Sequence, residues 1–127
     1  MARIHWLILL ILLIACASQG PPASFLRTES KQWNYWMDEK VDADLANIPL
    51  GTLATRPPFE GMNLVLNGVD SEYRIALQAQ QVPRRQALWL LANQYGLALT
   101  VGTTGQGATP SVVISNRELR RENTPLN

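Results

Sequence analysis

Ile75-Ala76-Leu77-Gln78-Ala79-Gln80-Gln81-Val82-Pro83, then Ala87-Leu88-Trp89-Leu90-Leu91-Ala92, then Leu97-Ala98-Leu99-Thr100-Val101: the order strand, helix, strand in this stretch decides the fold, and the rest of the chain aligns with it or tethers it. Ile75, Leu77 and Ala79 alternate with Ala76, Gln78 and Gln80, the period of a strand with one buried face. Pro83 ends the strand and suits a first helical turn, where its missing N–H has no partner to lose. The run from Ala87 to Ala92 is apolar on nearly every side, whereas a surface helix keeps a polar face. Such a helix requires cover on both flanks. Gly96 stands where a left-handed C-terminal cap is expected, and Leu97, Leu99 and Val101 resume the alternation of a strand. Gly102 to Pro110 is a Gly- and Thr-rich turn, after which the β-branched Val112-Val113-Ile114 should pair back. The stretch from Arg74 to Ser115 is thus a β-α-β-β folding module, not a reaction centre.

A weaker copy of the module precedes it. Val41-Asp42-Ala43-Asp44-Leu45-Ala46-Asn47-Ile48-Pro49 lies thirty-four residues before Ile75 to Pro83, and in both copies alternation ends in an aliphatic-Pro pair. A helical stretch, a glycine (Gly61 or Gly96) and an alternating strand follow each proline; in the first copy that strand carries Met62, Leu64 and Leu66. Pro57 and Pro58 cannot continue a helix, so the first one is short. Asn67-Gly68 is a turn signal that hands the first copy to the second. Two copies are too few for a solenoid. The reading is one pseudo-duplicated α+β domain, β-α-β-β-α-β-β, over residues 41–115.

The 127 residues allow this one small domain plus extensions. At the start, Arg3 and the amino terminus form a positive region, and Trp6 to Ala15 is an apolar run far below the ~20 residues of a spanning helix. Residues 1–15 read as an export signal. The only cysteine, Cys16, closes the run Leu13-Ile14-Ala15-Cys16, which resembles the bacterial lipobox. A small residue admits the peptidase, and the thiol takes a diacylglycerol before the new amino terminus is acylated. An ordinary signal cut after Ala15-Cys16-Ala17 is the alternative. An unpaired cysteine in an exported chain favours the lipoprotein. Acyl chains at ~0.8 kcal/mol per buried CH₂ would hold it in a leaflet. Ala17 after the cysteine, by resemblance to enterobacterial lipoproteins, implies the outer membrane with the chain facing the periplasm.

Residues 16–40 read as a lipidated tether. Gly20-Pro21-Pro22-Ala23-Ser24 has the composition of a spacer, and the residues from Ala17 to Lys40 could reach about 80 Å if fully extended. Within them stand Trp33, Tyr35 and Trp36. Aromatics this dense in a linker suggest a partner anchor; the alternatives are a short helix packed on its own domain, or a belt at lipid headgroups. Arg84 and Arg85 occupy the first turn of the second helix, where the dipole disfavours cations by ~0.3–1 kcal/mol each. They are read either as exposed residues kept for solubility or as a site for an acidic partner. Trp33, Tyr35, Trp36, Arg84 and Arg85 are therefore the candidate partner-binding residues.

Removing the signal takes away Arg3 and the single histidine, His5, so eleven basic side chains fall to ten against ten acidic ones. That balance argues against nucleic acid, and the loss of histidine removes the usual acid–base and metal residue. Asp38, Glu39, Asp42 and Asp44 read as a solvated edge rather than an acid–base pair, and Gly102 to Gly107 lacks the lysine and helix of a phosphate cradle. No enzyme, cofactor or metal site is expected. Residues 116–127, in which Glu118 and Glu122 interleave with arginines, read as a polar tail.

The doubled phrase from Val41 to Ser115 resembles the secretin and TonB short N-terminal domain. That resemblance implies two helices held between a two-stranded and a three-stranded sheet. A free-standing domain of this kind on an outer-membrane lipoprotein is similar to the DotD-type lipoproteins of type IV secretion and conjugation systems. It implies a structural subunit of a homo- and hetero-oligomeric ring crossing the periplasm. A self-standing periplasmic binding or signalling lipoprotein is the other functional class. Replacing Cys16 by Ser is expected to block acylation and leave uncleaved precursor, read by intact-mass spectrometry of the membrane fraction; an unmodified mature wild-type chain beginning at Ser18 would overturn the lipid anchor.

Overall fold

The computed structural model describes residues 20–102 and 109–116. Cys16, the lipobox, most of the Gly102–Pro110 turn and residues 117–127 lie outside them. The order is α1 (Lys31–Asp38), β1 (Lys40–Pro49), a 3₁₀ helix (Leu50–Thr55), β2 (Asn63–Asn67), β3 (Arg74–Pro83), α2 (Arg84–Tyr95), β4 (Leu97–Gly102) and β5 (Ser111–Asn116). β1 and β3 form an antiparallel two-stranded sheet; β5 is the centre of a three-stranded sheet, parallel to β2 and antiparallel to β4. The class is α+β with two sheets. Each copy of the module is divided between them: the first strands, β1 and β3, pair with each other, and the second strands, β2 and β4, flank β5.

Both helices lie between the sheets. α2 packs on β3 and β1 on one side and on β4 on the other, while the 3₁₀ helix packs on β1 and β2. Ala87, Leu88 and Leu91 of α2 are wholly inaccessible to solvent, as are Leu50 and Leu53 of the 3₁₀ helix, and Val112 and Ile114 close the same core from β5. Tyr95 clasps α2 to β3, its hydroxyl accepting from the Ala76 N–H at 2.6 Å and donating to the Ala76 carbonyl at 3.2 Å. α2 is not enclosed all round: Gln86, Trp89, Leu90, Asn93 and Gln94 form an outward strip between the sheets, with Leu90 39% exposed.

The helix of the first copy is a 3₁₀ helix for reasons written in its residues. The Thr52 and Thr55 hydroxyls donate to the carbonyls of Pro49 and Thr52, each at 2.7 Å, and so close tight turns, while Pro57 and Pro58 cannot extend an α-helical ladder. Its start is tied to the connection that leads into the second copy, since the Leu50 and Gly51 N–H groups donate to the Tyr73 and Ser71 carbonyls at 2.7 and 2.8 Å. Gly51 is required at this crossing: a Cβ there would stand 2.9 Å from that of Ser71. The glycines that open the second strands, Gly61 and Gly96, both take left-handed φ, +86° and +63°.

Two bulges shape the small sheet. The register slips between Leu45 and Ile48 and again between Val41 and Ala43, and left-handed residues mark both places, Asn47 at φ 50° and Gln81 at φ 54°. A side chain from the opposite strand holds each. Arg74 Nη1 donates to the Asn47 carbonyl at 3.0 Å, and the Gln81 N–H donates to Asp42 Oδ1 at 2.8 Å. Asp42 therefore has a structural bond on the strand face that the sequence reading gave to solvent.

Because both sheets press on α2, Leu88→Ala and Leu91→Ala are each expected to cost ~2–5 kcal/mol, measured by chemical denaturation of the soluble domain. Two near-neutral results would mean that α2 is not sandwiched.

Candidate functional site

The segment before β1 is not an extended tether. From Pro22 onward it folds onto the domain, beginning with a turn in which the Phe25 N–H donates to the Pro22 carbonyl at 3.0 Å and Arg27 Nε to the Ala23 carbonyl at 2.9 Å. Asn34 closes a second loop, accepting from the Thr28 N–H at 3.1 Å and donating to the Thr28 carbonyl at 2.8 Å. Ser30 caps α1, its hydroxyl accepting from the Trp33 N–H at 3.2 Å. The helix has only eight residues, but Trp33 and Met37, one turn apart, point inward, and Met37 is wholly buried.

The candidate aromatics separate by this geometry. Trp33 is 7% exposed, and its indole N–H donates to the buried Leu26 carbonyl at 2.8 Å. Of the three readings of this segment, a helix packed on its own domain is the one that describes Trp33. Trp36 is half-buried, with its ring centroid 5.7 Å from that of Trp33. Tyr35 is 79% exposed. It stands over an open groove of about 1190 Å³ that runs between α1 and the three-stranded sheet and is also lined by Trp36, Glu60, Asn63, Val101 and Pro110.

Arg84 and Arg85 are not exposed, as one reading of the sequence required; each is 5% accessible. Their charged heads reach the folded-back segment instead. Arg84 Nε donates to the Pro58 carbonyl at 2.8 Å, Nη1 to the Trp36 carbonyl and Nη2 to Glu39 Oε1 at 3.0 Å, with the guanidinium carbon 4.0 Å above the Trp36 ring. Arg85 Nε donates to Asp38 Oδ1 at 3.1 Å and Nη1 to the Phe25 carbonyl, while its buried Nη2 has no partner among the described residues. Arg27 meets the other Asp38 oxygen at 3.4 Å. Five of these contacts join the start of α2 to the segment from Phe25 to Glu39. The acidic partner of the arginines is thus the chain's own Asp38 and Glu39, and the helix-dipole cost is offset by carbonyl and carboxylate acceptors.

Among the described residues, surfaces available to a partner include Tyr35, the groove beneath it and β2, an edge strand of the three-stranded sheet in which Val65 is 46% exposed. These are elements of recognition: an aromatic side chain, a shallow trough and an edge strand. Among the described residues no three His, Cys, Asp or Glu side chains converge as metal ligands, and no helix is long and apolar enough to cross a membrane. No protein-family model matches this chain, and no curated protein does.

Two kinds of substitution separate the arginine contacts by their burial. Arg84→Ala leaves the Pro58 carbonyl without its donor and the Trp36 carbonyl with only the Glu39 N–H at 3.4 Å, and is expected to cost ~1–3 kcal/mol, the worth of one orphaned acceptor. Asp38→Asn, on a side chain half open to water, is expected to cost less than ~1 kcal/mol. Denaturation curves that reverse this order would show that charge pairing, rather than carbonyl satisfaction, holds the segment down.

Proposed function

We propose that this chain is a non-enzymatic outer-membrane lipoprotein, anchored through Cys16 and facing the periplasm, that serves as a structural subunit or assembly factor of a secretion or conjugation complex. The observation that carries this reading is the division of the doubled strand–helix–strand unit into a two-stranded and a three-stranded sheet with both helices between them. It is the arrangement that the likeness of Val41–Ser115 to the secretin and TonB short N-terminal domain implies. The apolar export segment ending in Leu13-Ile14-Ala15-Cys16 supports the anchor and the compartment.

Tyr35 and the groove below it are the proposed subunit contact, taking over the role first assigned to the three rings together. A ring that is 79% exposed on a rigid helix loses little conformational freedom when a partner covers it. Trp33 supports that helix from beneath.

Extraction of the full chain from its native membrane in mild detergent tests the proposal. The expected result is co-elution in a large assembly, and a Tyr35→Ala chain should lose that association by about 30-fold, the equivalent of ~2 kcal/mol, with its melting temperature unchanged. A small, mostly monomeric species from the wild-type chain would favour the self-standing lipoprotein instead. Trp33→Ala, by contrast, should lower stability by ~3–5 kcal/mol.

A further inference from the structure

We infer that the outward strip of α2 is a membrane-facing surface, seated against the same leaflet that takes the Cys16 lipid. The inference rests on the lipid anchor proposed above and adds which face of the domain meets the bilayer.

The composition of the strip is the first observation. Gln86, Trp89, Leu90, Asn93 and Gln94 include no charged residue, whereas the solvent face of a helix is ordinarily charged and polar. Leu90 is 39% exposed, and the half-buried Trp89 is met edge-on by Phe25, ring centroids 5.0 Å apart, so the strip runs on into the segment before α1. Trp with uncharged amides suits the interfacial zone of a bilayer, where an indole keeps its apolar body toward lipid and its N–H toward water.

The second observation is where the chain enters the fold. The first turn among the described residues, from Pro22 to Phe25, lies on this side: the Phe25 ring rests on Trp89, and the Phe25 carbonyl is held by Arg85 at the start of α2. Six steps separate Cys16 from Pro22, a reach of about 22 Å even when fully extended at ~3.3–3.6 Å each. A domain of roughly 100 residues has a radius of gyration near 13 Å. The leash is therefore shorter than the domain is wide, and the side on which it attaches is the side that meets the membrane. A short tether also raises the effective concentration of the tethered surface to about millimolar, so a contact too weak to bind free protein is still occupied.

The test uses the full-length acylated chain in vesicles of phosphatidylethanolamine and phosphatidylglycerol. Acylation consumes the Cys16 thiol and the chain has no other cysteine, so a nitrobenzoxadiazole label placed on a Leu90→Cys variant is unique. A Val65→Cys variant is the control, because β2 lies beside the 3₁₀ helix rather than α2. Lipids carrying a nitroxide high on the acyl chain should quench the label at position 90 at least about threefold more than at position 65, on an edge strand of the three-stranded sheet. Equal quenching at both positions, or none at 90, in protein that carries its acyl mass and floats with the vesicles, would overturn this inference alone. Disulfide-linked dimers of the unlabelled Leu90→Cys variant, with no quenching of the labelled one, would overturn it in favour of a second copy on the strip. Protein without acyl mass that fails to float would overturn the anchor itself, and the inference with it.

Discussion

Two guanidinium groups at the start of α2 hold this structure together at its weakest point. A helix that opens with Arg84-Arg85 places positive charge at its own positive end, and both side chains are buried. Burial of that kind persists only when the charges find acceptors. They find them in one place: the carbonyls of Phe25, Trp36 and Pro58 and the carboxylates of Asp38 and Glu39. Without the folded-back segment the two arginines would keep only the Pro58 carbonyl among these acceptors, and without the arginines the segment would have lost its main polar attachment. Each makes the other tenable.

That mutual dependence is set up by strand pairing. β1 and β3 are in register with Lys40 opposite Pro83, so the residues just beyond the ladder, Glu39 and Arg84, arrive side by side. The backbone records the same meeting, with the Arg84 N–H donating to the Glu39 carbonyl at 2.9 Å. Satisfying this otherwise orphaned N–H does for α2 what a capping side chain does elsewhere, since Pro83 at the cap position offers none. The small sheet thus performs two tasks. It covers one flank of both helices, and it delivers the segment before β1 to the start of α2.

The domain was legible in the sequence because its signals are periodic and repeated. Alternation in Ile75, Leu77 and Ala79, the stop at Pro83 and the cap at Gly96 each have a local cause, and the copy from Val41 repeats the phrase. The fold of residues 22–39 was not legible in the same way. Gly20-Pro21-Pro22 has spacer composition, and α1, with eight residues, is too short for a helical period to rise above its neighbours. A signal existed nonetheless. Asp38-Glu39 directly precedes one strand and Arg84-Arg85 directly follows another, so antiparallel pairing of those strands brings an acidic pair to a basic pair. The arginines were read against their own helix, and the carboxylates against their own strand. Neither reading crossed the sheet.

Docking of residues 22–39 changes what the tether does. As a free linker, Ala17 to Lys40 would let the domain range up to about 80 Å from its attachment point, with every face equally available to a partner. With Trp33 and Met37 buried and the arginines engaged, the lipid anchor proposed at Cys16 would be linked to the domain by no more than the steps from Cys16 to Pro22. Restricting the tether to that length removes most translational and orientational freedom before any partner arrives. Binding costs several kcal/mol in exactly that freedom, so an assembly built from such subunits begins with part of the cost already met by folding. The same restriction gives the two open surfaces different surroundings. α2's uncharged strip is held beside the Pro22–Phe25 turn by the contact of Phe25 with Trp89, whereas Tyr35 points away from the core on a helix whose inner side is fixed by Trp33 and Met37. In the proposed lipoprotein the docked segment would therefore act as a positioning device, and the buried arginines are the residues that hold it in place.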